Sequence, residues 1–219
     1  MFENKKIITF DCYGTLIDWD KGIEQFFRDV FSKMKTAELE LLQKKWETME
    51  FDLLGSYVPY AELHEKSFVK LLKSEKMPTK KNLGKLLTDR IYSWKTFPEV
   101  YTVLGKLKKI YKLALISNGS PELLKSNARS MGIDFDYIIS AEDMKAYKPS
   151  LKVFQYASQK MGCPFSEMLH IAAGYKYDVI PAIQLGLSVI WVNRKNMTPG
   201  VVKPNFEINN LDELIKLLI

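Results

Sequence analysis

The chain has 219 residues, 47% of them hydrophobic and 26% charged, with a net charge of +6. That length holds one domain, or one with an insertion, and the composition excludes disordered, collagenous and disulfide-framework classes. No apolar run approaches the roughly 20 residues that span a bilayer, and the lysines are interleaved with acidic residues rather than gathered in a nucleic-acid-binding stripe. The densest basic runs, Lys80-Lys81 and Lys106-Leu107-Lys108-Lys109, are short and carry no aromatics for base stacking. The first residues lead into only a short apolar run, so no signal peptide is expected. Cys12 and Cys163 are too few for a framework and read as reduced thiols of a cytoplasmic protein.

Residues 6–10 (Lys-Ile-Ile-Thr-Phe) are a short β-rich run ending at Asp11, which predicts a buried strand. The next stretch, to about Trp94, is mainly helical. Its periodicity predicts helices over about 22–34, 37–54 and 60–72. The second carries Leu39, Leu42, Trp46, Met49 and Leu53 at helical spacing. Pro78-Thr79 predicts a fourth helix running to about Trp94. Beyond Pro98, short apolar strands alternate with helices. The strands are predicted over 112–117, 137–140, 168–173 and 188–192, with helices opening near Ser120-Pro121, Pro149-Ser150 and Asp178. Such alternation indicates a parallel, doubly wound sheet. The expected fold is therefore an α/β core of residues 1–16 and 91–219, with an all-α cap of residues 17–90 inserted after the first strand.

Ligands of such sheets bind at the carboxyl ends of the strands. Four predicted ends carry polar residues: Asp11-Cys12-Tyr13-Gly14-Thr15-Leu16, Ser117-Asn118-Gly119, Ala146-Tyr147-Lys148-Pro149 and Gly174-Tyr175-Lys176-Tyr177-Asp178. Together they can assemble a carboxylate pair, a lysine and a Ser-Asn pair. Asp11 is a candidate carboxylate nucleophile, or else a turn aspartate closing a strand. Lys148 is a candidate cation that lowers the pKa of Asp11, or else a surface lysine. Thr15 can orient the carboxylate or only fix the turn. Ser117 and Asn118 can donate to an anionic substrate group, or serve as a loop and helix cap. Strand alternation puts Asp11 and Tyr13 on one side and Cys12 on the other, so Cys12 reads as packing.

Taken in order, these segments resemble the four motifs of the haloacid dehalogenase superfamily of hydrolases, with Phe10 to Leu16 the most specific part. The resemblance runs over nearly the whole chain, including the place of the cap. In that family's phosphatases the residue two after the nucleophile is usually a second Asp, the general acid for an alkoxide. The family's L-2-haloacid dehalogenases carry Tyr there, as Tyr13 does here. A halide is a weak base that leaves without a proton. The resemblance thus implies hydrolytic dehalogenation of a small 2-haloacid through an aspartyl ester. It implies Asp11, Lys148, Asp178 and Thr15 as catalytic residues, Tyr13, Ser117 and Asn118 as substrate contacts, and no cofactor. A small anionic substrate is the expected partner, with no nucleic acid and no membrane; a homodimer stays open.

Two other readings stay open as well. One is a Mg²⁺-dependent phosphatase of the same superfamily, with Asp11, the carbonyl of Tyr13 and Asp178 as ligands. The other is a catalytically weak member that binds an anionic metabolite or a partner. Departures from the dehalogenase pattern motivate them. The cap arginine of those enzymes falls near Leu41 or Leu42, and the nearby Lys44 and Lys45 do not reproduce a guanidinium fork. The Ser and Asn that precede the last Asp are matched by Ala173 and Tyr175, and the tyrosine after the lysine by Phe154, with Tyr156 near.

His64, beside Glu65 in a cap helix, is expected to face solvent, and His170, inside a strand, to be a core histidine. A Ser-His-Asp triad and a His-rich zinc site are not expected. Neither a G-x-G-x-x-G fingerprint nor a Walker-A loop is present.

Overall fold

The structure, a computed structural model, describes residues 2–219; Met1, the first residue of the expected core, lies outside the described residues. Strand β1 (Ile7–Phe10) is followed by four helices: α1 (Trp19–Val30), α2 (Thr36–Asp52), α3 (Tyr60–Ser74) and α4 (Leu83–Ile91). The chain then runs through α5 (Val100–Leu107), β2 (Lys112–Ser117), α6 (Pro121–Ser130), β3 (Tyr137–Ser140), a one-turn α7 (Ala141–Met144) and α8 (Leu151–Met161). It ends with β4 (Met168–Ala172), α9 (Ile180–Gln184), β5 (Ser188–Val192), β6 (Phe206–Ile208) and α10 (Glu213–Leu218).

All strand pairs are parallel, in the order β3-β2-β1-β4-β5-β6. The chain moves outward from β1 to one edge, returns to β4, and moves out to the other edge. The order reverses between β1 and β4, and their carboxyl ends open the crevice where an α/β sheet takes its ligand. The α/β parallel sheet with helices inserted after its first strand is the expected fold class. Alternate strand residues feed two cores, because successive side chains point to opposite faces. Ile8, Phe10, Leu113, Leu115 and Ile171 pack toward α5, α6 and α10. Ile7, Ala114, Ile116, Met168 and Trp191 pack toward α8 and α9.

The inserted helices have a core of their own, built on Phe26, Phe27, Trp46 and Phe68. Trp46 and Phe68 stack with ring centroids 5.1 Å apart, and the Trp46 indole N–H donates to the Ser67 hydroxyl at 2.7 Å. His64 belongs to this core, which corrects the expectation that it faces solvent. It lies four residues after Tyr60 and four before Phe68, on the apolar stripe of α3, with its ring 4.2 Å from that of Tyr60. Burial pulls its pKa down to about 3.

Helix boundaries differ from the sequence reading where side chains cap them. The Asp18 carboxylate accepts the N–H of Lys21 at 3.1 Å, so α1 starts at Trp19 rather than near Gly22. Glu65 of α3 accepts the N–H groups of Asn82 at 3.0 Å and Gly84 at 2.7 Å. Asn82 is left-handed (φ 63°), so α4 starts after it and not at Pro78. Gly84 sits where a Cβ would run into the Ala61 carbonyl and the Glu65 backbone, which lets α4 close onto α3. Strand β6 was not predicted: it has three residues at a sheet edge and only Ile208 is buried.

Candidate active site

β1 hands the chain to Asp11 at the centre of the sheet. The next residues make a tight loop in which the Gly14 N–H donates to the Ile17 carbonyl at 2.8 Å. Gly14 has φ 82°, a conformation that glycine adopts without strain. The loop leaves Asp11 and Tyr13 facing a cavity of about 280 Å³, while Cys12 turns into the core. The Thr15 hydroxyl donates to Asp11 Oδ2 at 2.8 Å and accepts the Ala173 N–H at 2.8 Å, tying the loop after β1 to the loop after β4.

Lys148 completes the centre. Its ammonium donates to Asp11 Oδ1 at 2.7 Å, to Asp178 Oδ1 at 2.6 Å and to the Ile116 carbonyl at 3.2 Å. Three N–H groups thus meet three acceptors. Lys148 is 2% exposed and Asp178 1%, so the cluster forms a nearly buried floor of the cavity. Asn118 fixes this lysine from behind: its Oδ1 accepts the Lys148 N–H at 2.8 Å and its Nδ2 donates to the Lys148 carbonyl at 3.2 Å. The Asn118 amide is therefore engaged at both ends with the Lys148 backbone, and because it lines the cavity its second N–H stays available to a substrate.

The electrostatics follow from burial and proximity. Burial raises the pKa of Asp11, and the Asp178 charge adds to that, outweighing the downward pull of Lys148 and Thr15. Lys148 does lower it, as expected, although burial outweighs that pull. Burial also works against the charged form of Asp178, but Lys148 and His170 overcome it and hold Asp178 below its ordinary value. Burial alone would lower Lys148; the two carboxylates outweigh it and keep the ammonium charged. The two carboxylates thus share one cation.

His170 was read as core packing alone. It is buried, but its Nε2 lies 3.0 Å from Asp178 Oδ1 and its Nδ1 2.8 Å from the Thr9 hydroxyl. With Nε2 protonated, it donates to Asp178 and accepts from Thr9. The signal was the strand alternation of β4, with Thr9 and His170 in register on adjacent strands. Arg194, just past β5, was also missed; its Nη2 donates to the Thr15 carbonyl at 2.9 Å and pairs with Glu99 at 2.7 Å.

The remaining positions divide between the cavity and its surroundings. The Tyr13 hydroxyl donates to Asn127 Oδ1 at 3.1 Å, and its ring stacks on Tyr60 with centroids 6.5 Å apart. Ser117 lines the cavity. Tyr175 turns away from it, donating to the Val202 carbonyl at 2.6 Å. Phe154 packs edge-on against His170 at 5.2 Å. Lys45 pairs with Glu75 and does not line the cavity. A carboxylate held by an ammonium and a hydroxyl at the foot of a cavity can attack an electrophilic carbon, and a second carboxylate beside it can position water.

The sequence pattern of haloacid dehalogenase-like hydrolases matches residues 5–186. The (S)-2-haloacid dehalogenase 4A of Burkholderia cepacia is 25% identical, covering 100% of this chain and 96% of that protein. (S)-2-haloacid dehalogenase 2 of Pseudomonas sp. (strain CBS-3) is 28% identical, covering 96% and 94%. The solved L-2-haloacid dehalogenase of Xanthobacter autotrophicus with chloropropionic acid covalently bound superposes with a TM-score of 0.80, at 20% identity and 98% coverage of both chains.

Proposed function

The chain belongs to the haloacid dehalogenase-like hydrolases, and on that premise we propose that it hydrolyses the carbon–halogen bond of a small 2-haloacid through an ester on Asp11. The observation that carries this reading is the Asp11 carboxylate, held by Lys148 and Thr15 at the foot of a cavity, with Tyr13 rather than a second acid two residues after it. The names of the relatives support it: two act on (S)-2-haloacids, and the third was captured with chloropropionic acid covalently bound.

In the first step an Asp11 oxygen attacks the halogen-bearing carbon. The carbon–oxygen bond forms as the carbon–halogen bond breaks, and the halide leaves with the bonding electrons. No proton is needed for that departure. In the second step water attacks the carboxyl carbon of the ester. The 2-hydroxyacid leaves, a proton passes to solvent, and the Asp11 carboxylate returns. Asp178, steadied by Lys148 and His170, positions the water. Ser117 receives the substrate, Tyr13 packs along it, and the four inserted helices serve as a cap over the cavity. Asn118 acts by holding Lys148.

A magnesium-dependent phosphatase fits the donor set less well. Position 13 offers a phenol that donates to Asn127 where an alkoxide leaving group would need an acid. The test is halide release from L-2-chloropropanoate with a chelator present and Asp11→Asn as control. Release that survives chelation and vanishes in the variant supports the reading. Release that persists in the variant, or requires added Mg²⁺, overturns it.

A further inference from the structure

The charges lining the cavity are unevenly satisfied. Its three cations are all engaged: Lys148 by Asp11 and Asp178, Arg194 by Glu99, and Lys195 by Asp20 at 2.7 Å. Two carboxylates on the α2 wall, Glu47 and Glu50, line the same cavity and form no ion pair among the described residues. Glu47 accepts only from Gln43, at 2.8 Å, and Glu50 only from the Tyr177 hydroxyl, at 3.4 Å. A half-buried carboxylate without a cation is costly, and a positively charged ligand relieves that cost.

The wall around these two acids is aromatic. Trp46, Tyr60 and Tyr177 line the cavity beside them, and the faces of such rings attract ammonium groups. An independent observation places a ligand's other end. Ser117 is 2% exposed, lines the same cavity, and its hydroxyl makes no hydrogen bond among the described residues. The cavity thus has one donor without a partner and two acids without a cation, the acids set among aromatic rings. Leu41 and Leu42, near which the dehalogenase pattern has its cap arginine, do not line it.

We propose that this cavity takes a 2-haloacid carrying an ammonium group at its far end, with the ammonium held by Glu47, Glu50 and the rings of Trp46, Tyr60 and Tyr177. The proposal rests on the reading of Asp11 as nucleophile. It deepens that reading by making Glu47 and Glu50 the residues that select the substrate.

The test compares two substrates of equal shape that differ in one charge: 2-chloro-4-(trimethylammonio)butanoate and 2-chloro-5,5-dimethylhexanoate. Neither carries an amine that can displace its own chloride. Assays at pH 8 keep Glu50, pushed up to about 7 by burial, ionised. The expected kcat/KM ratio favours the cationic substrate at least tenfold, and Glu47→Gln and Glu50→Gln each cut it severalfold, chiefly through KM. A ratio near one in the parent protein overturns the proposal, as does a preference that both variants retain. Thermal unfolding confirms that the variants are folded. If neither substrate releases halide and no adduct forms on Asp11, the nucleophile reading fails by itself. Calorimetry with butyltrimethylammonium chloride then decides the cation site. Binding that weakens at least tenfold in the double Gln variant supports it; no binding, or binding unchanged by the substitutions, overturns it.

Discussion

His170 lies inside β4 with its Nε2 3.0 Å from Asp178 Oδ1, so a residue within the strand steadies a carboxylate beyond the strand's end. A hydrogen bond to a charged group contributes about 1.5–3 kcal/mol, or roughly 10–100-fold in a rate that depends on it. His170→Phe is expected to lower kcat by about that factor with little change in KM, and to let the Asp11 ester accumulate. His170→Gln, which can still donate, should recover part of the loss. Burst kinetics and intact-protein mass measure both.

Lys148→Met leaves two buried carboxylates without their cation. Removing one partner from a buried pair costs about 3–5 kcal/mol, and for a chain of this size each kcal/mol lowers Tm by roughly 2–4 °C. A fall in Tm of about 10 °C near neutral pH is expected. Asn118→Ala keeps the ammonium and frees only the Lys148 backbone, so it should reduce kcat about tenfold with a smaller change in Tm. Calorimetric scans alongside steady-state kinetics separate the two effects.

Stability should depend on pH through His64 and Glu50, with opposite signs. The folded pKa of His64 is about 3 against an ordinary 6.5. Its contribution is complete above about 6.5 and is lost as pH falls toward about 3. By linkage the loss reaches about 2 kcal/mol at pH 5. Glu50 is raised to about 7 from 4.5, so its contribution is complete below about 4.5 and is lost as pH rises through 7. Between pH 7 and pH 5 the two oppose each other. Relative to the parent protein, His64→Leu should therefore gain stability over that interval and Glu50→Gln should lose it. Urea midpoints at the two pH values read out the signs.

Gly84 tests the packing of α4 on α3. A Cβ there meets backbone rather than a movable side chain. Gly84→Ala should destabilise by about 1–3 kcal/mol, although alanine is the better helix former. A rise in Tm would show that the helices separate at little cost.

Much of this was legible because strand ends carry their chemistry in short local patterns. Asp11, Thr15, Lys148 and Asp178 each follow a strand, and parallel pairing alone gathers them at one crevice. What stayed hidden depends on faces and partners. His64 looked polar beside Glu65, yet its distance from Tyr60 and Phe68 along α3 turns it inward. The partner of His170 lies eight residues on, beyond a strand end. Glu47 and Glu50 carry no local signal that sets them apart, and only the placement of α2 beside the cavity brings them to its wall. The direction of the net shift at Asp11 was not legible, because burial, which sequence does not display, outweighs the neighbouring lysine.

The central claim is that Asp11 attacks carbon and is regenerated by water at its own carboxyl carbon. A single turnover in H₂¹⁸O, with enzyme in excess over L-2-chloropropanoate, tests it most directly. The account predicts ¹⁸O in the peptide containing Asp11 and an unlabelled hydroxyl on the product. Label in the product with an unlabelled Asp11 would contradict it, because water would then have attacked the substrate carbon itself.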